Sequence, residues 1–229
     1  LLWKSSSYFK MKLILVFIFL IFSNHSDARK IGETEITTEE GIEVFQNEKY
    51  YLLKKNVKIE SDNFTLFGDT IKIYFEKDLY DIQKIDAFGN VRLNSPQYDI
   101  KSQGENLIFI VENEEIYVSG KNSELITNDT KMYSDGKIKV NNFDGSFYVN
   151  GPNSILESQD IYIDGNYIDG VFSEKDGDKD IELLNVNDSK IAFIKTQNTD
   201  MYANIVKYNK QTSLIELENN VKIIRDGET

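Results

Sequence analysis

The sequence predicts an all-β protein that folds as an antiparallel meander or jelly roll of short, repeated strand-turn units. From about residue 31 onward, apolar and polar residues alternate with a period of two, which is typical of strands with one buried face. Turn-forming pairs of Gly with Asp or Asn separate these strands at short intervals. The chain has only two prolines, as expected where most backbone N–H groups take part in a sheet.

The predicted strands follow one another without a convincing amphipathic helix after residue 28. Alternation indicates strands at residues 57–60, 71–76, 138–140, 161–164, 215–218 and 221–223. Residues 107–111 (LIFIV) are apolar on both faces, which indicates a strand covered on both sides. Asp-Gly pairs at 135–136, 144–145, 164–165, 169–170, 176–177 and 226–227, and Gly-Asn pairs at 89–90 and 165–166, predict tight hairpins with positive φ.

Two short motifs recur along the chain. The strand opening GDTI at residues 68–71 has a counterpart in GENL at 104–107 and a weaker one in ANIVKY at 203–208. A closing Asn-Val pair begins at Asn56, Asn90 and Asn220. Such repetition predicts a long, open β-structure rather than a compact globule with a pocket. Since the sequence stops just after a hairpin signal at 226–227, we expect that a partner strand should follow and that the chain is truncated.

The N-terminus has the pattern of a cleavable signal peptide. Met11 and Lys12 lead into the apolar run of residues 13–22, and a polar stretch ends at Ala28 before Arg29. The run is shorter than the roughly 20 apolar residues that a spanning helix needs. We therefore predict export and cleavage after residue 28, with an uncleaved anchor as the alternative. Residues 1–10 precede the start methionine and resemble translated upstream sequence.

Composition argues against catalysis in the exported part. Trp3 and His25 are the only Trp and His, both precede the predicted cleavage, and the chain has no Cys. The usual general base, the common nucleophile pairs and any His/Cys metal site are therefore missing, so we predict no enzyme, no catalytic residue, no metal and no cofactor. Residues 1–28 hold three Lys and one Asp, which leaves 23 basic against 37 acidic residues and a net charge of −14. This balance disfavours nucleic acid as a partner.

Three segments together resemble the OstA-like domain family. They are residues 64–74 (FTLFGDTIKIY), residues 82–93 (IQKIDAFGNVRL) and residues 116–122 (IYVSGKN). The likeness is clearest from about residue 56 to 140 and returns from about 200 to 229. It divides the chain into residues 1–28, the OstA-like region 29–150, and residues 151–229 as a continuation or second repeat that is truncated.

The resemblance implies a twisted, partly open antiparallel β-jelly roll that carries lipopolysaccharide across the periplasm of Gram-negative bacteria. Members hold the acyl chains of lipid A in an apolar groove and join other OstA-like domains, such as LptC-like and LptD-like proteins or further copies, through edge strands. Our candidate groove residues are the inward set of the best strands: Val57, Ile59, Leu66, Ile71, Ile73, Phe75, Ile85, Val91, Leu93, Ile108, Ile110, Ile116, Val118, Ile138 and Val140. Ordinary core packing would give the same alternation.

Alternative readings remain open at this level. The predicted signal peptide favours an LptA-like protein over LptC, but the N-terminal domain of a longer LptD-like chain fits as well. An exported structural or adhesive β-solenoid would show the same repeats with a closed interior. The acidic loop at 176–182 departs from a calcium loop, because Ile181 and Asn187 stand where such a loop needs Gly and Glu. The strand tyrosines are expected to pack within the sheet rather than to stack on sugars. The acids Glu43, Glu60, Asp69 and Asp86 are expected to face solvent rather than to form a glycosidase-like carboxylate couple.

Overall fold

The computed structural model describes residues 33–77, 81–127, 129–158, 161–175 and 178–225, and most of these lie in β-strands. The predicted signal peptide and the Asp-Gly pairs at 176–177 and 226–227 lie outside the described residues. The strands are β1 (Glu35–Thr37), β2 (Ile42–Phe45), β3 (Tyr50–Glu60), β4 (Thr65–Phe75), β5 (Ile82–Ser95), β6 (Ile100–Ile110), β7 (Glu115–Ser119), β8 (Ser123–Ile126), β9 (Thr130–Ser134), β10 (Lys137–Asn141), β11 (Ser146–Asn150), β12 (Ile155–Ser158), β13 (Ile161–Asp164), β14 (Tyr167–Lys175), β15 (Asp178–Lys195), β16 (Thr199–Asn209), β17 (Leu214–Glu218) and β18 (Lys222–Arg225). A single turn of 3₁₀ helix, Pro96–Tyr98, follows β5.

All pairings among these strands are antiparallel, so the all-β, antiparallel prediction is confirmed. The sheet forks into two walls, because β3, β6, β15 and β16 each pair with different neighbours along their two halves. Between them, β4 and β5 pair with the same neighbours along both halves. The second half of β6, for example, pairs with β7, whereas its first half pairs with β8. Strand pairing continues from one side of residue 150 to the other, since β11 pairs with β14 and β9 pairs with β12.

The two walls are defined by these pairings. The first wall consists of β2, residues 50–53 of β3, 70–75 of β4, 82–88 of β5 and 106–110 of β6, then β7, β10, β11, β14, residues 178–187 of β15, 205–209 of β16, and β17. The second wall consists of β1, residues 57–60, 65–68, 91–95 and 100–104, then β8, β9, β12, β13, residues 192–195, 199–203, and β18.

The walls meet along one edge, which we call the corner, where the long strands bend from one wall into the other. The register of β3, β4 and β5 is interrupted there, between Lys54 and Val57, between Phe67 and Thr70, and between Phe88 and Val91. Backbone φ is positive at Lys55, Asn56, Gly89 and Asn90 in these interruptions. Such bulges bend a strand and increase its twist, which is how a single strand can belong to both walls.

Several residue pairs that the sequence predicts as hairpin turns lie elsewhere in the structure. Gly89 and Asn90 lie inside β5 at the bend and do not form a hairpin. Asp169 and Gly170 lie inside β14, and the pair 165–166 joins β13 to β14 across the corner. Of these residues only Gly89 and Asn90 have positive φ, which a tight hairpin and a bulged strand bend both use, so the sequence pattern of this pair fits either setting. The closing Asn-Val motif is therefore the corner residue followed by the first side chain of the second wall.

Asn and Asp side chains hydrogen-bond to one another along the corner. The Nδ2 of Asn90 donates to Asp69 Oδ2 at 2.8 Å, and that of Asn153 donates to Asp135 Oδ2 at 2.7 Å. Nearer the last strands, the Nδ2 of Asn220 donates to Asn204 Oδ1 at 2.7 Å. These bonds link neighbouring segments along the corner. A backbone N–H of the adjacent turn and the Asn153 amide both donate to Asp135 and hold its pKa below the usual value.

The core fills the space between the walls as two rows of cross-strand neighbours. The first-wall row is Leu53, Ile71, Ala87, Leu107, Val118, Ile138, Val149, Ile168, Val186 and Val206, all at most 2% exposed. The second-wall row is Ile36, Ile59, Leu66, Leu93, Ser102, Leu125, Met132, Leu156, Ile163, Ile194, Met201 and Ile223. Burial of these side chains is the main source of stability, because a buried aliphatic residue contributes about 1.5–3 kcal/mol. No helix within the described residues has the length and apolarity to cross a membrane.

The close packing around Gly89 at the corner leads to a prediction about the free energy of unfolding. A Cβ at Gly89 would lie 2.9 Å from the Cβ of Asp69, whereas a Cβ at Gly41 meets nothing within 4 Å. Both glycines have positive φ, so both Gly→Ala changes carry the same kind of backbone strain. We expect Gly89→Ala to lower the free energy of unfolding by about 2–4 kcal/mol and Gly41→Ala by about 1 kcal/mol, measured by urea denaturation. Equal losses would show that the contact at the corner is unimportant.

Candidate functional site

The inward faces of the two walls hold most of the residues that the sequence predicts for a groove. All of the fifteen candidates except Leu93, Ile108 and Ile110 are at most 9% exposed. Leu93 is half-buried and packs against the core from the second wall. The structure therefore brings these residues together between the walls, and their role in binding lipid stays a prediction.

Ile108 and Ile110 lie on the outer face of the first wall, and their placement in the inward set is wrong. Ile108 pairs with Asp86 and Tyr117, which belong to the outward row, whereas Leu107 is 1% exposed and pairs with inward residues. Successive side chains of a strand point to opposite faces, so Leu107 and Phe109 take the inward positions. Because residues 107–111 are apolar throughout, alternation alone gave no means of choosing between the two faces.

In the middle of the protein the interior is almost filled. A cavity of about 40 Å³ lies between the walls. Its lining is nearly all apolar: Phe64, Leu66, Ile85, Leu93, Ser95, Ile100, Leu107, Phe109 and Ile116. One liquid water occupies about 30 Å³, so this space is far smaller than an acyl chain. The candidates from β3 to β10 therefore line a closed interior in this conformation.

The interior widens near the last strands into a cleft of about 600 Å³, which we call the terminal cleft. Its apolar residues come from both walls: Ile181, Leu184, Val206, Tyr208 and Ile215 from the first, and Ile161, Ile194 and Met201 from the second. This volume is within the range of about 300–1,000 Å³ that small-molecule sites occupy. The cleft is therefore the part of the interior that can receive an apolar chain without rearrangement.

The sequence prediction did not include any residue of the terminal cleft. The strands at 161–164 and 215–218 were recognised from their alternation, but alternation identifies a buried face and not the distance between two buried faces. That distance depends on strands that are remote in sequence. Among the described residues, β17 and β18 pair with separate halves of β16 and with no strand beyond. Their inward side chains Ile215 and Ile223 are consequently 45% and 58% exposed.

Polar and charged groups form the rim of the cleft. Lys210 and Arg225 line it together with Asp180 and the turn at residues 196–199. The Nζ of Lys210 lies 2.8 Å from Asp180 Oδ2 and 3.6 Å from Glu182 Oε1. The hydrogen bond to Asp180 raises the pKa of Lys210, so this amine stays protonated. Within residues 33–225, as far as the structure describes them, Arg225 has no carboxylate partner.

A larger concavity, of about 810 Å³, runs outside the walls beside the corner. Its charged side chains contact neighbouring residues of the same concavity. The guanidinium carbon of Arg92 lies 5.1 Å from the centroid of the Phe67 ring, Lys58 lies over the same ring, and Asp69 accepts from Asn90. These contacts use the groups that a ligand would need, and the concavity is mostly polar in its lining residues. The terminal cleft is therefore the better candidate site.

Comparison with known proteins gives a likeness in architecture only. No family model and no curated protein matches the sequence. Among the solved structures that match is LptH of Pseudomonas aeruginosa, the LptA-homologous periplasmic component of the lipopolysaccharide transport device. The alignment has 13% identity and a TM-score of 0.40, and it covers 48% of this chain and 76% of LptH. At these values no residue role can be carried over from LptH.

The reassignment of residues 107–110 can be tested by stability. Leu107→Ala removes a side chain that is 1% exposed and leaves a cavity between the walls, which costs about 2–5 kcal/mol. Ile108→Ala removes a half-buried side chain from the outer face, so we expect a loss of about 1 kcal/mol. Urea denaturation of the two variants measures the difference. A larger loss for Ile108→Ala would restore the original assignment.

Proposed function

We propose that this protein is a periplasmic carrier of lipopolysaccharide, which holds acyl chains between its two walls as one part of a bridge between the inner and outer membranes. The observation that supports this most is the terminal cleft, an apolar space between the walls that ends in a polar rim. Binding in such a space scales with the apolar area that is removed from water, which suits a long acyl chain. The family resemblance of residues 64–74, 82–93 and 116–122 adds the identity of the lipid.

The closed middle of the protein can admit a chain if the walls part at the edge opposite the corner. No strand pairing among the described residues joins the walls at that edge, and the strands that connect them do so only through the corner. Parting the walls therefore separates apolar side chains without breaking a β-ladder. An acyl chain that enters replaces those contacts with its own, so the free energy of opening is largely recovered.

In this proposal the protein binds and passes on its cargo and catalyses no reaction. Among the described residues, no group of three or more His, Cys, Asp or Glu side chains is arranged to hold a metal ion. Export to the periplasm rests on the predicted signal peptide. The LptA-like assignment remains our choice, and the N-terminal domain of an LptD-like protein is the alternative within the same family.

A structural or adhesive role in the exported proteome is the second candidate. The observation that favours it is the small size of the middle cavity, about 40 Å³, because a β-solenoid needs no space between its faces. The two functions differ in whether lipid ever contacts the inward side chains of the middle strands. This difference can be measured in living cells.

Photo-crosslinking distinguishes the carrier from the structural protein. We expect p-benzoyl-phenylalanine at Tyr208 in the terminal cleft and at Phe109 in the middle cavity to form lipopolysaccharide adducts after irradiation of cells. The same residue at Tyr148, which pairs with Lys139 and Asp169 on the outer face, should form none. All three positions are aromatic, so the substitution is conservative at each.

The pattern of adducts distinguishes the lipid carrier from the structural protein. A folded protein without adducts at Tyr208 or Phe109 would favour the structural role. An adduct at Tyr208 alone would support binding in the cleft and contradict passage along the interior. Adducts at Tyr148 as strong as those inside would mean that the reagent reports only proximity to lipid.

We also propose that partners, either other OstA-like domains or further copies of this chain, add strands at the ends of the sheet. Ile42 and Val44 of β2 are 48% and 50% exposed, and Ile223 and Ile224 of β18 are 58% and 43% exposed. Exposed backbone and apolar side chains on terminal strands favour association by strand addition.

A matched pair of substitutions tests association through β18. Ile224 and Leu183 are both 43% exposed, but Leu183 lies on β15, which has a strand on either side. We expect Ile224→Lys to weaken self-association about tenfold, because a charge replaces apolar area in the contact. Leu183→Lys should leave it unchanged. Sedimentation velocity over a concentration series measures both, and equal effects would exclude β18 as the contact.

A further inference from the structure

The terminal cleft combines an apolar floor with cations from opposite walls at its mouth. Lys210 follows β16 at the free edge of the first wall, and Arg225 ends β18 on the second wall. Each of the two residues lies two positions after an inward-facing residue, so alternation places its side chain on the inward side as well. Tyr208 lies two residues before Lys210, and Ile223 pairs with the buried Met201 and lies two residues before Arg225. The two basic side chains therefore face the same opening.

The charges at this mouth are not equally available. Lys210 is held by Asp180 and Glu182, and the three groups together carry a net negative charge. Arg225 has no carboxylate partner in the described part of the chain, although the sequence as a whole has a net charge of −12. A guanidinium offers several N–H donors in a planar fork that matches the oxygens of a phosphate or carboxylate. An anion at the mouth would therefore be bound first by Arg225.

We propose that the terminal cleft selects amphiphiles with an anionic head group, which Arg225 binds with Lys210 as a second donor while the apolar chain lies on the floor. This inference rests on the proposed function, because it names the head-group chemistry of the same cleft. The favoured ligand has one negatively charged oxygen group directly attached to an apolar chain. A free anion lacks the chain and loses the burial against Leu184, Ile194 and Met201.

The test compares ligands that share one chain and differ in the head group. Dodecyl phosphate, dodecyl maltoside and dodecyl trimethylammonium are titrated below their micelle concentrations against the purified chain, and binding is followed by isothermal calorimetry. We expect dodecyl phosphate to bind about tenfold more tightly than the maltoside, since a hydrogen bond to a charged group is worth about that factor, and the ammonium compound to bind most weakly. Inorganic phosphate alone should not compete.

A matched pair of variants assigns the preference to Arg225. Arg225→Gln removes a charge at the cleft, and Lys222→Gln removes a charge from the same strand on the outer face, where the amine lies over the Tyr202 ring. Arg225→Gln should reduce the preference for the phosphate head group to less than threefold and leave the affinity for the maltoside unchanged. Lys222→Gln should keep the tenfold preference. The preference should also decline with added salt in the parent protein.

The outcomes separate this inference from the function on which it rests. Equal affinity for the three amphiphiles, or a preference for the ammonium compound, would overturn the head-group inference and leave the apolar carrier intact. No binding of any of them would overturn both. Equally tight binding of inorganic phosphate would overturn it too, because the site would then be one for a free anion. A preference that survives in Arg225→Gln would exclude Arg225 as the donor.

Discussion

The whole architecture depends on the bend that each long strand makes at the corner. A flat antiparallel sheet of this size would expose one complete apolar face, and burial of that face requires a second layer. Here the second layer is the other half of the same strands. In β3 and β5 the bend uses positive φ, a conformation that most residues avoid, and Asn56, Gly89 and Asn90 supply it. Hydrogen bonds from Asn side chains to Asp or Asn side chains then link neighbouring segments along the corner.

This constraint explains why the sequence repeats are short and degenerate. At the corner, β3 and β5 each need only a residue tolerant of positive φ and an apolar residue directly after it. Asn90 and Val91 meet these needs, and so do Asn56 and Val57, of which both valines are 1% exposed. The remaining positions are free to vary between aliphatic residues, since the core rows accept Ile, Leu, Val or Met of similar volume. The motif therefore records the local geometry of the bend and not a ligand.

The fold class and the buried faces could be predicted from alternation, whereas the site could not. Alternation is a local property, and it placed Val57, Ile71 and Val118 correctly on inward faces. It failed at Ile108, where apolar residues on both faces remove the signal. It also could not distinguish a bend from a hairpin at Gly89, because both require positive φ. The terminal cleft depends on how far apart Leu184 and Met201 lie, and no local pattern encodes a distance between strands of opposite walls.

The arrangement of the core suggests how a chain could move through a closed interior. The first-wall row of buried side chains continues from Val206 at the cleft to Leu53 near the other end, with one residue for each strand. Neighbouring strands are about 4.8 Å apart, so each step along the row exchanges contacts with only one or two side chains. In the proposed carrier, the corner would keep the strands joined while the opposite edge parts locally. An apolar chain that enters at the terminal cleft can therefore advance by small, reversible exchanges of equivalent aliphatic contacts, and no step requires the whole interior to open at once.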